Sequence, residues 1–424
     1  MDCCKSIWLL ASLLSFCLAA KGQSDYHSEV FDPDLHTVQL YANQTGENYA
    51  TLNSPVASLN SGQSLILEFD DLRASYRQFH IKIVSYNLDG TVSKLRDLEF
   101  LNEYNDFIIN NFEVSQGTKV NYYHYGFRLP QIKIAGNYML ELYENDLYGN
   151  KLAQMTFQVL DPQVTVLAQA QRPQDPEFWQ SHQQVDFEIN YGNYPLRDPR
   201  NELTVLIRKN FRDTDVKTGF KPTAINAGRS TLGYKFFANE NLFLAGNEFR
   251  RLDIRSTYTR GENVEDVQQG YEDQVFMKDQ FKRADQTYLA KNDLDGRYVV
   301  ETLEDQHPSI SADYVRVNFG FKSHVLMPNQ LLCIVGTFND YQCDIQNALS
   351  FSSEYEGYTG AMLLKQGVYD YQFVVKEANG QLNFGILEGD FTNTGNSYEV
   401  FVYHKQPSAK TERLIGYSLI RSNQ

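Results

Sequence analysis

A two-residue period in the C-terminal third of the chain constrains its fold more than any other feature. Residues 368–375 (VYDYQFVV) place an aromatic or β-branched side chain at every second position, after a break at residues 365–367 (KQG). Residues 397–404 (SYEVFVYH) repeat the pattern after a loop rich in Gly and Asn. Such alternation is typical of half-buried strands. It predicts an antiparallel sandwich at this end of the chain.

Earlier segments repeat this pattern, and none shows a sustained helical period. Residues 76–86 alternate in the same way and stop at an Asp-Gly turn signal, and such signals recur roughly every ten residues. A chain of 424 residues exceeds one core. We therefore predict an all-β protein of tandem antiparallel β-sandwich domains, Ig-like or E-set-like. The predicted sandwiches are residues 36–161, 162–304 and 311–405, with residues 406–424 as a C-terminal extension.

The first 22 residues have the pattern of a signal peptide. Lys5 precedes an apolar run over residues 7–18, which is too short to span a bilayer, and small residues follow it. The mature chain is expected to start near Gln23. A lipoprotein signal at Cys17 is the alternative, but bulky Phe16 stands where a small residue is usual. The pattern predicts an exported protein that is not itself inserted in a membrane.

The net charge of the chain limits the classes of partner that it can bind. Without residues 1–22 the chain has 52 acidic against 36 basic side chains, a net charge near −16. This balance argues against nucleic acid or an anionic membrane surface as a partner.

Only two cysteines, Cys333 and Cys343, remain in the chain without residues 1–22. A disulfide, which needs Cα atoms within about 7 Å, and two separate thiols are both open, whereas a zinc site would need further ligands.

Candidate catalytic and metal-binding residues have simpler structural interpretations. Asp70 and Asp71 end a predicted strand, where acidic pairs usually form turns or caps. His124 lies in an aromatic strand without a nucleophile motif nearby. Asp293 and Asp295 resemble a calcium loop but lack its third ligand and distal Glu. With no nucleophile elbow, zinc helix or phosphate loop, we predict no enzyme activity and assign no catalytic, cofactor or metal residue.

Two other segments predict contacts between parts of the fold. Trp179, beside Phe178 after a proline-containing loop, is expected at a domain junction or as a loop anchor. Residues 247–254 (NEFRRLDI) mix charged and apolar side chains. We expect its apolar members to point inward and its charged members to form an ion-paired rim: Phe249, Leu252 and Ile254 inward, and Glu248, Arg250, Arg251 and Asp253 in the rim.

Residues 336–341 (GTFNDY) resemble a corner of the starch- and glycogen-binding sandwich modules. In those modules aromatic rings stack on sugars, which makes Phe338 and Tyr341 candidate glycan-stacking residues. The other interpretation is that both rings pack a strand corner. An envelope protein that binds glycan is therefore an alternative function, and a hydrolase is a weaker third.

A set of segments spanning nearly the whole chain resembles the plug proteins of the bacterial type IX secretion system. The segments follow the order of that family, and they are residues 69–72 (FDDL), 122–130 (YYHYGFRLP), 136–138 (GNY), 247–254 (NEFRRLDI), 293–298 (DLDGRY), 364–374 (LKQGVYDYQFV), 389–403 (GDFTNTGNSYEVFVY) and 413–416 (RLIG). Each is weak alone, and together they are specific.

The resemblance implies a periplasmic, non-enzymatic β protein of a Bacteroidetes-type host. Such a protein associates peripherally with the outer-membrane secretion complex. It binds the inner face of a very large translocon barrel and blocks the pore when the barrel's lateral exit is not in use. The family has no catalytic motif, so the resemblance assigns no active residue.

Overall fold

The structure is a computed structural model that describes residues 26–44, 49–73, 75–323 and 329–422. The predicted signal peptide, residues 1–22, lies outside them. The described residues form thirty strands and three single-turn α-helices, so the predicted all-β sandwich class is confirmed. Each of these helices has four residues, and none in the described part is long and apolar enough to cross a membrane.

The first unit contains ten strands and one helix. In chain order these are β1 (Glu29–Val30), β2 (Leu35–Asn43), β3 (Val56–Ser58), β4 (Ser64–Asp71), β5 (Phe79–Tyr86), α1 (Asp97–Phe100), β6 (Phe107–Ile108), β7 (Asn111–Val114), β8 (Tyr123–Arg128), β9 (Gly136–Glu144) and β10 (Lys151–Leu160). The sheet β2-β4-β8-β7 faces the strands β10-β9-β5-β6. Phe69 of the first sheet meets Phe79 of the second at 5.1 Å between ring centroids, and the core between the sheets is apolar.

The remaining strands belong to two further units. The next seven are β11 (Thr165–Gln171), β12 (His182–Asn190), β13 (Leu203–Lys209), β14 (Val216–Thr218), β15 (Ala224–Asn226), β16 (Thr231–Tyr234) and β17 (Leu242–Leu244). Then come β18 (Arg250–Asp253), β19 (Val264–Gln268), β20 (Gln274–Met277), β21 (Gln280–Phe281), β22 (Tyr298–Val300), α2 (Pro308–Ser311), β23 (Tyr314–Lys322), β24 (Leu331–Val335), β25 (Ala348–Ser352), β26 (Gly357–Lys365), β27 (Gly367–Lys376), β28 (Leu382–Asn383) and α3 (Gly385–Glu388). The last two strands are β29 (Ser397–His404) and β30 (Arg413–Arg421).

The last two strands return to the middle of the chain. β29 pairs with β13 from Leu203↔His404 to Lys209↔Tyr398, and β30 pairs with β29. Their inward side chains share one core with β11, β12 and β16. The second unit therefore consists of β11–β17 with β29 and β30, and the third unit, β18–β28, is inserted between its strands.

This arrangement differs from the predicted boundaries. The predicted middle sandwich (162–304) and C-terminal sandwich (311–405) divide the chain in linear order, whereas the structure interleaves them. Residues 406–424 are not a separate extension, because Leu414 and Ile415 of β30 are fully buried. Alternation identifies a strand but not its partner, since any strand with a matching apolar face can complete a sheet.

One sheet runs through the first and second units. β10 and β30 pair in parallel at Leu160↔Leu414, which joins β14-β13-β29-β30 to β10-β9-β5-β6 in a ten-stranded sheet. Val56, Phe401 and Tyr403 pack with these two leucines in a small apolar cluster across the seam. The two units are therefore connected by both backbone pairing and apolar packing.

The third unit is a single eleven-stranded sheet folded over its own core. β27 lies near one end, paired with β18, β22, β24 and β28, and β23 lies towards the other, paired with β20, β21 and β26. A disulfide joins Cys333 of β24 to Cys343, with the Cα atoms 5.5 Å apart. Of the two alternatives left open by the sequence, the structure has the disulfide.

Candidate functional site

Several of the segments that carry the family resemblance lie where two units meet. At the junction of the first and third units, Asp70 of β4 lies against the end of β26. Lys365 Nζ donates to Asp70 Oδ2 at 2.7 Å, and Tyr314 Oη donates to the same oxygen at 2.6 Å. His124 Nδ1 lies 2.7 Å from Asp70 Oδ1. The Asp70 and Lys365 side chains are each 1% exposed, so the junction contains a buried ion pair.

The Asp70 carboxylate is ionised despite its burial. Desolvation alone would raise its pKa, but the Lys365 ammonium and the hydrogen-bonded His124 outweigh it and hold the pKa of Asp70 below its usual range. Two backbone N–H groups of the first unit reinforce the same junction: Gln116 N donates to the backbone carbonyl of Ile310 at 2.8 Å, and Val120 N donates to the side-chain Oδ1 of Asp313 at 3.0 Å. The first and third units are thus held in a fixed orientation.

Asp71, the neighbour of Asp70, acts within the first unit. Its Oδ2 lies 3.5 Å from Arg77 Nη1. The same guanidinium reaches Asp32 at 2.8 Å and takes Glu144 in a bidentate pair at 2.9 Å. The two aspartates therefore have different structural roles on the two sides of β4: Asp70 contacts the third unit, and Asp71 stabilises the first unit. A structural role is what the sequence indicates for this pair. His124 is likewise packed against Asp70, as expected for a histidine on an aromatic strand.

A second buried charge cluster lies beneath the strand β18. Glu388 of α3 is fully buried and accepts from Arg250 Nε at 3.0 Å and from Arg283 Nε at 2.7 Å. Although burial opposes ionisation, these two arginines hold the pKa of Glu388 below its usual range. Phe373 N adds a backbone bond to Glu388 Oε1 at 2.9 Å.

The predictions for residues 247–254 are confirmed for the apolar side chains and wrong for part of the rim. Phe249, Leu252 and Ile254 are buried as predicted. However, Glu248 and Arg250 are only 4% and 6% exposed. The reason lies in the tertiary structure. The sequence predicts that the charged face of β18 is exposed to solvent, but α3 and the backbone of β21 cover it. Glu388 and Phe281 O both accept hydrogen bonds from Arg250.

The turn at residues 293–296 joins the third unit to the second. Asp295 Oδ2 accepts from Ser397 Oγ of β29 at 2.7 Å and lies 3.6 Å from Arg421 Nε of β30. Asp293 accepts from the backbone N–H groups of Phe249 and Asp295. These carboxylates are thus occupied by protein donors, and no group of three or more acidic, His or Cys residues suited to a metal occurs in the described part.

Burial strongly perturbs Asp293. Desolvation, together with the nearby carboxylates of Asp370 and Asp295, raises the pKa of Asp293 to about 8. Gly296 follows with φ +84°, a conformation that side-chain-bearing residues rarely adopt, and a Cβ there would overlap Tyr341 Oη. The Asp-Gly turn is therefore required by close packing against residue 341.

The two candidate glycan-stacking rings are packed into the fold. Tyr341 is 4% exposed and lies beneath the Arg212 guanidinium, 5.4 Å from its ring centre. Phe338 is half-buried and meets Tyr298 and Tyr369 edge to face, at 6.4 and 5.7 Å. Tyr341 is too buried to present a face to a sugar, and Phe338 is packed against two neighbouring rings, so the structure favours the strand-corner interpretation. The sequence had offered this interpretation, but it could not identify Arg212 as the cover of Tyr341, because Arg212 comes from the second unit, over a hundred positions away.

Trp179 lies at a junction, as predicted. Its Nε1 donates to Pro173 O at 2.8 Å, and the Arg172 guanidinium covers its ring at 4.4 Å. With Tyr288 and Phe391 of the inserted part, the ring lines a surface groove of about 460 Å³ between the second and third units. Among the described residues that line the groove, Arg172 is the one that is charged, and its guanidinium packs on the indole.

Sequence reasoning missed the buried partners Lys365, Tyr314 and Glu388. Lys365 was visible as a cation at the end of an apolar strand, next to a Gly turn, which is an unusual place for a charge. What it pairs with could not be read from the sequence. The buried ionisable groups named above each face an opposite charge or a backbone donor. The Asp70–Lys365 pair and Asp295 join different units, whereas Asp71 and Glu388 stabilise the unit to which they belong.

Comparisons with known proteins agree with the first unit. Residues 35–161 match the family model described as "Type 9 secretion system plug protein 1st domain", and these residues coincide with the first sandwich. No curated protein matches the chain.

A solved structure resembles nearly the whole fold. The crystal structure of a hypothetical protein from Parabacteroides merdae ATCC 43184 has a TM-score of 0.87 and 28% sequence identity, covering 94% of this chain and 100% of that one. The likeness thus extends over all three units. Residues 35–161 therefore form a first domain of the type 9 secretion system plug protein family, within a chain whose whole fold is similar to that solved structure.

Proposed function

We propose that this chain is a non-enzymatic plug of the type IX secretion system. In this proposal it binds the outer-membrane translocon barrel from the periplasmic side and seals the pore. The observation that carries the proposal is the plug-domain match over residues 35–161. The signal-peptide pattern of residues 1–22 supports a periplasmic location, peripheral to the outer membrane.

The mechanical properties of the fold support a sealing role. A pore wide enough for folded cargo needs a broad and stiff obstruction, with an interface on the order of 1,200 Å² or more. The shared sheet opposes hinge motion between the first and second units. The buried Asp70–Lys365 pair opposes it between the first and third units. The inserted third unit is held by two chain connections and by the Asp295–Ser397 contact. Units fixed in this way can act as one obstruction.

The net charge of −15 supports a protein partner over other classes. Nucleic acids and anionic lipids both attract clustered Lys and Arg, whereas this chain has 53 acidic against 38 basic side chains. Charge of one sign at this level also keeps an exported protein soluble.

The test is made in the host cell. Deletion of the gene is expected to make the outer membrane leaky to large dyes, and crosslinking of intact cells carrying the full chain is expected to recover the barrel. Complementation with the full chain is expected to restore the seal, whereas a chain lacking residues 1–22 is expected not to, because it would not be exported. Recovery of no barrel protein together with unchanged permeability would overturn the proposal.

A further inference from the structure

β7 is an open edge of the first unit. It is the last strand of the sheet β2-β4-β8-β7, and β8 is its one strand partner in the described part of the chain. All four of its residues are exposed. The opposite edge of this sheet, β2, is covered by the third unit, where Tyr314 bonds to Thr37 at 2.6 Å. The same sheet therefore has one covered edge and one open edge.

The hydrogen-bond register shows which backbone groups face outward. Ser115 N donates to Tyr122 O at 2.9 Å, so the directly bonded pairs between β7 and β8 fall at 115, 113 and 111. On the other side of β8, Leu129 N donates to Leu65 O, which assigns the alternate residues of β8 to β4. Both observations leave the N–H and C=O groups of Phe112 and Val114 pointing away from the sheet.

A row of aromatic rings leads from the core to this edge. Phe69 and Tyr125 stack at 5.2 Å, Tyr125 meets Phe112 at 5.7 Å, and Phe112 meets Tyr76 at 5.0 Å. The first two rings are buried, but Phe112 is 39% and Tyr76 51% exposed. The row is uncovered at its end because β6, the edge strand of the facing sheet, has only two residues. The core face of the sandwich thus continues into solvent.

A peptide segment in extended conformation is the ligand that fits this edge. Alternating outward N–H and C=O groups are satisfied together by an added strand, and its alternate side chains would pack on Phe112 and Val114. The intervening residue would lie beside Glu113, on the opposite face. Glu113 is exposed and forms no ion pair among the described residues, so a basic side chain there would be favoured.

A second copy of the chain fits less well than a partner segment. A stable interface between folded proteins takes roughly 20–30 residues a side, whereas this edge has four strand residues and a few neighbours such as Tyr76 and Ile108. A flexible segment can use a short edge, because it adds main-chain hydrogen bonds without bringing two rigid surfaces together.

We propose that the open edge of β7 accepts an extended segment of the translocon barrel as an added strand, with apolar side chains against Phe112 and Tyr76 and a basic one beside Glu113. This inference rests on the proposed function and locates its contact surface. The strand completes the row of rings and anchors the plug, while the rest of the broad contact lies elsewhere on the molecule.

The test uses the purified full chain and detergent-solubilised barrel. Val114→Pro removes an outward N–H without breaking a bond inside the sheet, and Val114→Thr keeps both the N–H and the side-chain shape. The proline variant is expected to weaken binding by about tenfold or more, as losing a backbone bond and strand fit implies. The threonine variant should bind like the wild type. Equal binding by wild type and Val114→Pro would overturn the edge proposal while leaving the plug function standing.

A second pair of variants covers failure of the proline chain to fold. Phe112→Ser removes the exposed ring of β7, and Ile225→Ser removes a 42% exposed side chain on β15, an edge strand of the second unit. Only Phe112→Ser is expected to weaken barrel binding. If the two variants weaken barrel binding equally, the proposal is overturned. It is also overturned if the wild type forms a dimer in solution and Phe112→Ser abolishes that dimer. If wild type itself captures no barrel, the proposed function fails, and this inference fails with it.

Discussion

Lys365 and Asp70 lie 295 positions apart in the chain, yet Lys365 Nζ contacts Asp70 Oδ2 at 2.7 Å in a site closed to solvent. Tyr314 and His124 occupy the remaining positions around the carboxylate. A charge pair in such a place is costly to separate, because either partner alone would be left buried and unpaired. The pair therefore couples the first unit to the third.

Replacing Lys365 by Met is expected to destabilise the protein by about 3–5 kcal/mol, because it leaves the Asp70 carboxylate uncompensated. Adding Asp70→Asn should recover part of the loss, so the double variant costs less than the sum of the singles. Chemical denaturation measures all three. Additive effects would show that the two side chains act independently, against the geometry.

Arg250 offers a matched comparison between buried and exposed ion pairs. Arg250→Leu removes one of the two arginines that pair with the buried Glu388 and leaves only Arg283. It is expected to cost about 2–3 kcal/mol. Arg260→Leu breaks an exposed pair with Asp266 of similar length, 2.8 Å, and should cost less than about 1 kcal/mol. Thermal and denaturant unfolding of both variants give the comparison. Similar losses in the two would contradict the assigned burial.

The raised pKa of Asp293 predicts lower stability in alkali than in weak acid. Its folded pKa of about 8 exceeds the unfolded value near 3.9. The folded chain keeps a proton that the unfolded chain releases, so stability falls as pH rises through about 4 to 8. Asp293→Asn is expected to reduce this fall by about 1–3 kcal/mol.

The measurement is the free energy of unfolding at pH 5 and pH 8. Asp285→Asn, at an exposed carboxylate paired with Lys282, is the control and should leave the profile unchanged. An identical pH profile for wild type and Asp293→Asn would show that Asp293 titrates as an ordinary carboxyl group.

The Cys333–Cys343 disulfide closes a short loop that contains the half-buried Phe338 and the buried Tyr341. Replacing both cysteines by Ser is expected to lower stability by about 2–3 kcal/mol, the value for a loop of this length. Reduction of the wild type should lower its melting temperature to that of the double-Ser variant. A reductant effect that persists in the double-Ser variant would show a cause other than this bond.

Truncation tests the interleaved second unit. A chain that stops at residue 405 loses β30, including the fully buried Leu414 and Ile415. We expect it to lose the fold of the second unit and become sensitive to limited proteolysis. A chain starting at residue 23 is the control and should fold normally. Were residues 406–424 a detachable extension, the truncated chain would keep its near-UV circular dichroism.

Sequence alone was sufficient for the fold class and for the relation of the first unit to the type 9 secretion system plug proteins. Period-two alternation, as in residues 368–375, requires a sheet whatever its partners, because successive side chains point to opposite faces. It also indicated the inward direction of Phe249, Leu252 and Ile254. The family resemblance rests on short ordered motifs and needs no knowledge of strand pairing.

Tertiary structure decided which strands pair and which charges are buried. The alternation in β29 is equally compatible with the sheet of β27 and with the sheet of β13, and only packing in three dimensions selects β13. The same holds for Arg250 and for Tyr341, whose burial depends on α3 and on Arg212, elements far away in the chain. Local periodicity determines which way a side chain points, while distant segments determine what covers it.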